Sequence, residues 1–272
     1  MSVSGLSVYN GPFEEFFLEV ERIPTPSKNN IEATIAHLEK RLRQNDIAGF
    51  VYEPLVQGAA AMQMHDADGL DSILHLLKSH GVITIADEVM TGFGKTGSTF
   101  ASDHIGTKPD VICLSKALTA GLLPMAVTSC SQHIYDAFYS DDIGKGLFHA
   151  HTYTANPLAC TAALAGLALL QSASIQKNIA RIIASHQKFD AEISTHRKIA
   201  NTRQCGIIYA LDLDIEMERY GNLRDTLFNH FMDEGVFLRP LGNTIYILAP
   251  YITTDEQLQK IYGAIKSALQ LV

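Results

Sequence analysis

The 272 residues include only four cysteines, Cys113, Cys130, Cys160 and Cys205. None forms a Cys-x-x-Cys pair, and their wide spacing excludes a zinc ribbon or a small disulfide framework. Reduced thiols in a cytoplasmic protein are expected. Basic residues are scarce: 21 Lys and Arg face 29 Asp and Glu, a formal charge of −8. With no long basic run, the chain is a poor candidate for nucleic acid. The start lacks the basic n-region and apolar h-region of a signal peptide. The longest apolar stretch, Pro157 to Leu170, is too short to span a bilayer. What remains is an ordinary globular composition, 47% hydrophobic and 18% charged, long enough for one large or two modest domains.

Apolar periodicity organises the first 170 residues into alternating helices and strands. Ile31, Ile35, Leu38 and Leu42 recur at helical spacing, as do Leu70, Ile73, Leu74 and Leu77 before Gly81. Strand-like runs lie at Gly49–Glu53, Val82–Ala86, Asp110–Leu114 and Pro124–Thr128. Strands apolar on both faces and separated by helices predict a mostly parallel sheet sandwiched by helices, an α/β fold. Asn156-Pro157 predicts a capped helix to about Leu170. Beyond it the spacing predicts a long helix through Ile175 to Phe189, strands at Ile207–Leu213 and Thr244–Leu248, and a last helix. The last helix opens on a capping box at Thr253-x-x-Glu256. Residues 171–272 therefore read as a small C-terminal α+β domain after a larger domain over 1–170.

The chemistry-bearing residues lie at predicted strand ends. Glu53 ends the first strand, Asp87 the second, and Lys116 follows the third. In open α/β sheets ligands gather at the carboxyl ends of the strands, so Asp87 and Lys116 are expected in one crevice. A desolvated lysine can attack a carbonyl to form a Schiff base, and a nearby carboxylate suits the pyridinium nitrogen of pyridoxal phosphate. The same two residues also suit a lysine reaching for solvent and an aspartate capping a turn. Lys95 sits in a Gly-rich loop that does not fit the phosphate-binding pattern G-x-x-x-x-G-K-[ST]. His149 and His151 form a His-x-His pair without further ligands nearby, so no metal is expected. The other histidines read as solvated or satisfied side chains.

Three stretches carry a resemblance: Ala86-Asp87-Glu88-Val89-Met90-Thr91-Gly92-Phe93-Gly94-Lys95-Thr96-Gly97, Pro109-Asp110, and Leu114-Ser115-Lys116-Ala117-Leu118-Thr119. Together they resemble the signature of class III pyridoxal phosphate aminotransferases. Glu53-Pro54-Leu55-Val56-Gln57-Gly58-Ala59 and the segment His151 to Cys160 fit the same family. The resemblance implies a fold-type I PLP-dependent transferase that works as a homodimer with shared active sites. It implies that Lys116 holds pyridoxal 5'-phosphate covalently and shuttles the substrate proton. It further implies that Asp87 binds the pyridine nitrogen, that Val89 packs on the ring, and that Thr152 binds the phosphate of the neighbouring subunit. Glu53 is expected near the substrate end, with a structural ion pair as the equal alternative.

Leu238-Arg239-Pro240-Leu241-Gly242-Asn243 resembles the biotin-synthesis branch of the family, and Met90 supports the same branch. There the Arg239 position binds the carboxylate of 8-amino-7-oxononanoate, with S-adenosylmethionine as amino donor. Two other readings remain open: a class III enzyme acting on ω-amino acids or diamines, and an inactive fragment needing an N-terminal complement. The last arises because Met1-Ser2-Val3-Ser4-Gly5 resembles a segment inside complete family members. By that comparison the large domain is partial. The Gly-Ser loop expected to grip the phosphate, and an aromatic stacking on the ring, are then missing.

Overall fold

The computed structural model describes residues 1–5, 10–219 and 221–272. The apolar stripe of Ile31 to Leu42 forms helix α1 (Ile31–Leu42). Strand β1 (Gly49–Tyr52) is followed by a hairpin of β2 (Val56–Gln57) and β3 (Gln63–Met64). Helix α2 (Ala67–Ser79) is capped by Asp66, whose carboxylate accepts from Gly69 N at 2.9 Å. Then come β4 (Ile83–Asp87), β5 (Val111–Leu114), β6 (Val127–Cys130) and the short helix α3 (Gln132–Phe138). The second half holds α4 (Pro157–Leu170), α5 (Ala173–Ile193), β7 (Ile199–Cys205), β8 (Ile208–Leu213), α6 (Asn222–Asp233), β9 (Thr244–Ile247) and α7 (Asp255–Ala268).

Four strands form one sheet in the order β1-β4-β5-β6. The β1–β4 and β4–β5 pairs are parallel. β6 departs from the expectation: it starts three residues later than the apolar run at Pro124, runs antiparallel to β5, and is exposed along its length. The physical reason is the connection. Between β5 and β6 lies only a 3-10 turn, Lys116–Thr119, and a parallel return needs a full crossover, usually a helix. Alternation divides the sheet cleanly. Tyr52, Thr84 and Ala86 point to the buried face, where Tyr52 and Ala86 pack with Leu70 and Leu74 of α2. Val51 and Ile83 point the other way and stay 41% and 36% exposed. Asp110 bolts β4 to β5 by accepting from Thr84 N at 2.9 Å and Lys78 Nζ at 2.8 Å.

Strands β7, β8 and β9 form a separate antiparallel sheet. Tyr209, Leu211 and Leu213 face the core built on α5 and α7, where Phe189 stacks on Tyr262 at 4.2 Å. Ile208 and Ala210 face the opposite way and pack with Tyr52, Leu55 and Met62. Gly206, between β7 and β8, has φ +60°; a Cβ there would lie 2.3 Å from the Thr96 carbonyl carbon. Only glycine lets the small sheet approach the Gly-rich loop this closely.

Asn156 caps α4 as expected, accepting from Ala159 N at 3.0 Å. The cap of α7 is one residue later than Thr253-x-x-Glu256: Thr254 and Gln257 form the capping box. Both pairs satisfy the pattern, but Thr253 is buried and its carbonyl is taken by the Arg181 guanidinium. The last strand stops at Ile247 rather than Leu248. Strand β7 and helices α3 and α6 carry no expectation from the sequence. No single helix among the described residues is long and apolar enough to cross a membrane; α4 and α5 pass that test only as a pair bent by 67°.

Candidate active site

The register of the parallel strands assembles the site. Tyr52 pairs with Ala86, so Glu53 and Asp87 continue adjacent strands side by side. Asp87 pairs with Cys113, three residues before Lys116. Thus the carboxyl ends of β1, β4 and β5 bring together Glu53, Asp87 and Lys116. Their charges act on one another. Burial pushes the Glu53 carboxyl above the ordinary carboxylate range; the Asp87 charge adds to this, while the Gly58 N–H and the Lys116 ammonium oppose it.

Each group is held by its local backbone. Asp87 accepts from Val89 N at 3.0 Å through one oxygen. Its other oxygen carries no hydrogen bond among the described residues, which leaves an acceptor for a ligand N–H. Glu53 accepts from Gly58 N at 2.9 Å. Val89 is half-buried one turn beyond Asp87. Lys116 is exposed and has φ +46°, a left-handed conformation that costs a lysine about 1–2 kcal/mol. The strain is sustained by packing. Ser115 Oγ donates to Met125 O at 2.7 Å, and α4 backs the turn, a Cβ at Gly166 falling 3.2 Å from Leu118 O.

Thr152 and Arg239 are not on these strand ends. Thr152 lies exposed in a turn before α4, and Arg239 is exposed between Leu238 and Pro240. Neither side chain makes a hydrogen bond or ion pair among the described residues. Lys95, in the Gly-rich loop, is half-buried. It lies over the Tyr251 ring at 4.4 Å, and burial lowers its pKa to about 8.

Several residues of the site region have contacts that the sequence reading did not supply. Glu88 is fully buried and accepts from Thr91 Oγ1 at 3.0 Å and from Ala101 N and Ser102 N at 2.8 Å each. It fixes the loop leaving Asp87; its only signal is the acidic doublet at a strand end. Met90 is held against Gly58, where a Cβ would lie 2.5 Å from its Sδ. His65 departs from the expectation of satisfied histidines. Both its ring nitrogens are buried without a partner, and burial lowers its pKa to about 4.

A cofactor with an aldehyde and a pyridine nitrogen fits this donor set: an exposed amine on a strained turn and a carboxylate with a free oxygen on the neighbouring strand.

The chain matches the family model "Aminotransferase class-III" over residues 1–269. It is 39% identical to the adenosylmethionine-8-amino-7-oxononanoate aminotransferase of Synechococcus elongatus, over 99% of this chain and 65% of the relative. It is 33% identical to the enzyme of the same name from Geobacter sulfurreducens, over 100% of this chain and 64% of the relative. The crystal structure of such an enzyme from Methanocaldococcus jannaschii superposes with a TM-score of 0.91 at 27% identity, covering 100% of this chain and 64% of that one. An amine transaminase from an uncultivated Pseudomonas species in PLP-bound form gives 0.79 at 29% identity, over 88% and 56% of the two chains. The chain therefore spans slightly less than two thirds of the length of these curated relatives.

Proposed function

The chain belongs to the class-III aminotransferase family, and from that premise we propose that it is a pyridoxal phosphate-dependent aminotransferase of biotin synthesis. It would convert 8-amino-7-oxononanoate to 7,8-diaminononanoate with S-adenosylmethionine as donor. Support for the substrates comes from relatives that carry both in their names. The observation that carries the chemistry is the convergence of Glu53, Asp87 and Lys116 at three adjacent strand ends, with Lys116 in a strained conformation.

When bound, pyridoxal phosphate supplies the electron sink that lets a substrate carbon shed its proton. The rest falls to this chain. Lys116 would hold the cofactor through its amine and would move the proton at the substrate carbon. Asp87 holds the pyridine nitrogen in its protonated form, and Val89 packs on the ring. Thr152 takes the phosphate of a second copy. Arg239 offers a guanidinium fork to the substrate carboxylate. Glu53 faces the substrate end.

The division into a domain over 1–170 and one over 171–272 belongs to the same reading; each span holds one of the two main sheets. So does a homodimer. Helix α4 is apolar on every side, and Leu158, Leu164 and Leu169 are 73%, 69% and 62% exposed, a surface suited to a second copy. The reading places the chain in the cytoplasm, where its free thiols stay reduced.

The test is to mix the chain with pyridoxal phosphate, reduce with borohydride and map the peptides. The reading expects the adduct on Lys116 and its loss in Lys116→Ala. An adduct only on other lysines would overturn it. Turnover with S-adenosylmethionine, against β-alanine or putrescine as donor, separates the biotin branch from ω-amino acid and diamine enzymes.

A further inference from the structure

The polar strand β7 carries one side chain with an unusual reach. Arg203 lies opposite Ala210 in β8, on the face turned toward the first sheet. Its guanidinium makes four hydrogen bonds. Nη1 and Nη2 grip Asp212 at 2.6 and 2.9 Å, a bidentate pair. Nε donates to Met62 O at 2.9 Å and Nη2 to Ala61 O at 2.5 Å. Ala61 and Met62 both have left-handed backbones, φ +58° and +57°, in the loop that closes the β2–β3 hairpin. The same loop contains Gly58, whose N–H holds the Glu53 carboxylate at 2.9 Å. The guanidinium therefore clamps the two strained residues on which the placement of the Gly58 N–H depends.

Asp212 also faces the other way. Its Oδ1 accepts from Thr244 Oγ1 at 2.6 Å. Thr244 closes the turn after Arg239 through reciprocal hydrogen bonds with Leu241, at 2.9 and 3.2 Å. Asn243 of that turn is tied to Leu213 through both its backbone and its side chain. One carboxylate thus joins the loop holding Glu53 to the segment presenting Arg239. Both partners are shielded, with side chains 15% and 22% exposed.

We propose that Arg203 and Asp212 are positioning residues that fix the Glu53 loop and the Arg239 segment in one relation, so that both address the same substrate. The proposal rests on the reading of Glu53 and Arg239 as substrate-binding groups. Arg203 acts on the Glu53 loop alone, whereas Asp212 acts on both sides.

That asymmetry is testable in the 272-residue chain. Amide hydrogen exchange would be followed in Arg203→Met, Arg203→Lys and Asp212→Asn. Arg203→Met should speed exchange across residues 54–64 by about tenfold and leave residues 238–244 unchanged. Asp212→Asn should speed both. Arg203→Lys, which can reach one carbonyl but not form the fork, should lie between wild type and Met, and it serves if the Met variant does not fold. In steady state, Arg203→Met should raise the KM for the amino acceptor by about tenfold with kcat nearly unchanged, since binding geometry and not the proton transfer is disturbed. Unchanged exchange over 54–64 in both Arg203 variants would overturn the proposal, as would a fall in kcat at constant KM. A wild-type chain without turnover would refute the transamination reading, while the exchange measurements would still decide the coupling.

Discussion

Glu53 shows how a single carboxyl can be set by its surroundings. Burial and the neighbouring Asp87 both favour its protonated form, and the Gly58 N–H and Lys116 only partly offset them. Its pKa in the folded chain therefore lies above that in the unfolded chain. The stability it contributes is full below the unfolded pKa and is lost as pH rises through the folded one. Glu53→Gln keeps an acceptor for Gly58 N without the charge. At neutral pH it should melt higher than wild type, and the difference should close as pH falls below the ordinary carboxylate range. Thermal melts across pH test this; an equal or lower melting point at neutral pH would show that the charge is well compensated. The positions of Glu53, Asp87 and Lys116 were readable in the sequence because strand ends in a parallel sheet converge. The neighbours that tune them were not. Gly58 and Met90 touch through a loop whose left-handed residues are Leu55, Ala61 and Met62, none of them glycine, so no turn signal marks it.

At the scale of elements, legibility followed apolar periodicity. Helix α1 spans the expected residues because its stripe is unambiguous, and β4 differs from the expected run by a single residue at each end. Strand β7 was silent: Ile199 to Cys205 reads IANTRQC, with polar residues on both faces. One of those residues is Arg203, which turns inward to an ion pair that no local pattern announces. The antiparallel course of β6 was equally hidden, since it depends on the short link from β5. Where β7 meets β8, the close approach of Gly206 to Thr96 invites a substitution. Gly206→Ala puts a Cβ into the Thr96 backbone at a left-handed φ, and should destabilise the chain by about 2 kcal/mol or more. Urea denaturation measures it; a loss below about 0.5 kcal/mol would mean that the loop at Lys95–Thr96 shifts freely.

The whole molecule leaves much apolar surface in contact with solvent. Beside α4, the stretch between β6 and α4 exposes Tyr139, Ile143, Leu147, Phe148 and Tyr153 at 68–81%. Under the proposed homodimer these side chains, with α4, are candidates for burial against a second copy. If a second copy covers α4, Leu164→Asp should shift the chain from dimer to monomer in sedimentation velocity. A wild-type chain that sediments as a monomer at micromolar concentration would remove this face as a self-association surface. The packing of α4 on the turn that begins at Lys116 has a consequence for biogenesis. The turn cannot be braced until the segment through Leu170 has been synthesised and docked, some fifty residues after the lysine itself. A nascent chain stalled on the ribosome before that point would display the amine on an unformed support; on the proposed reading of Lys116, capture of the vitamin B6 coenzyme would then be a late event in the life of the polypeptide.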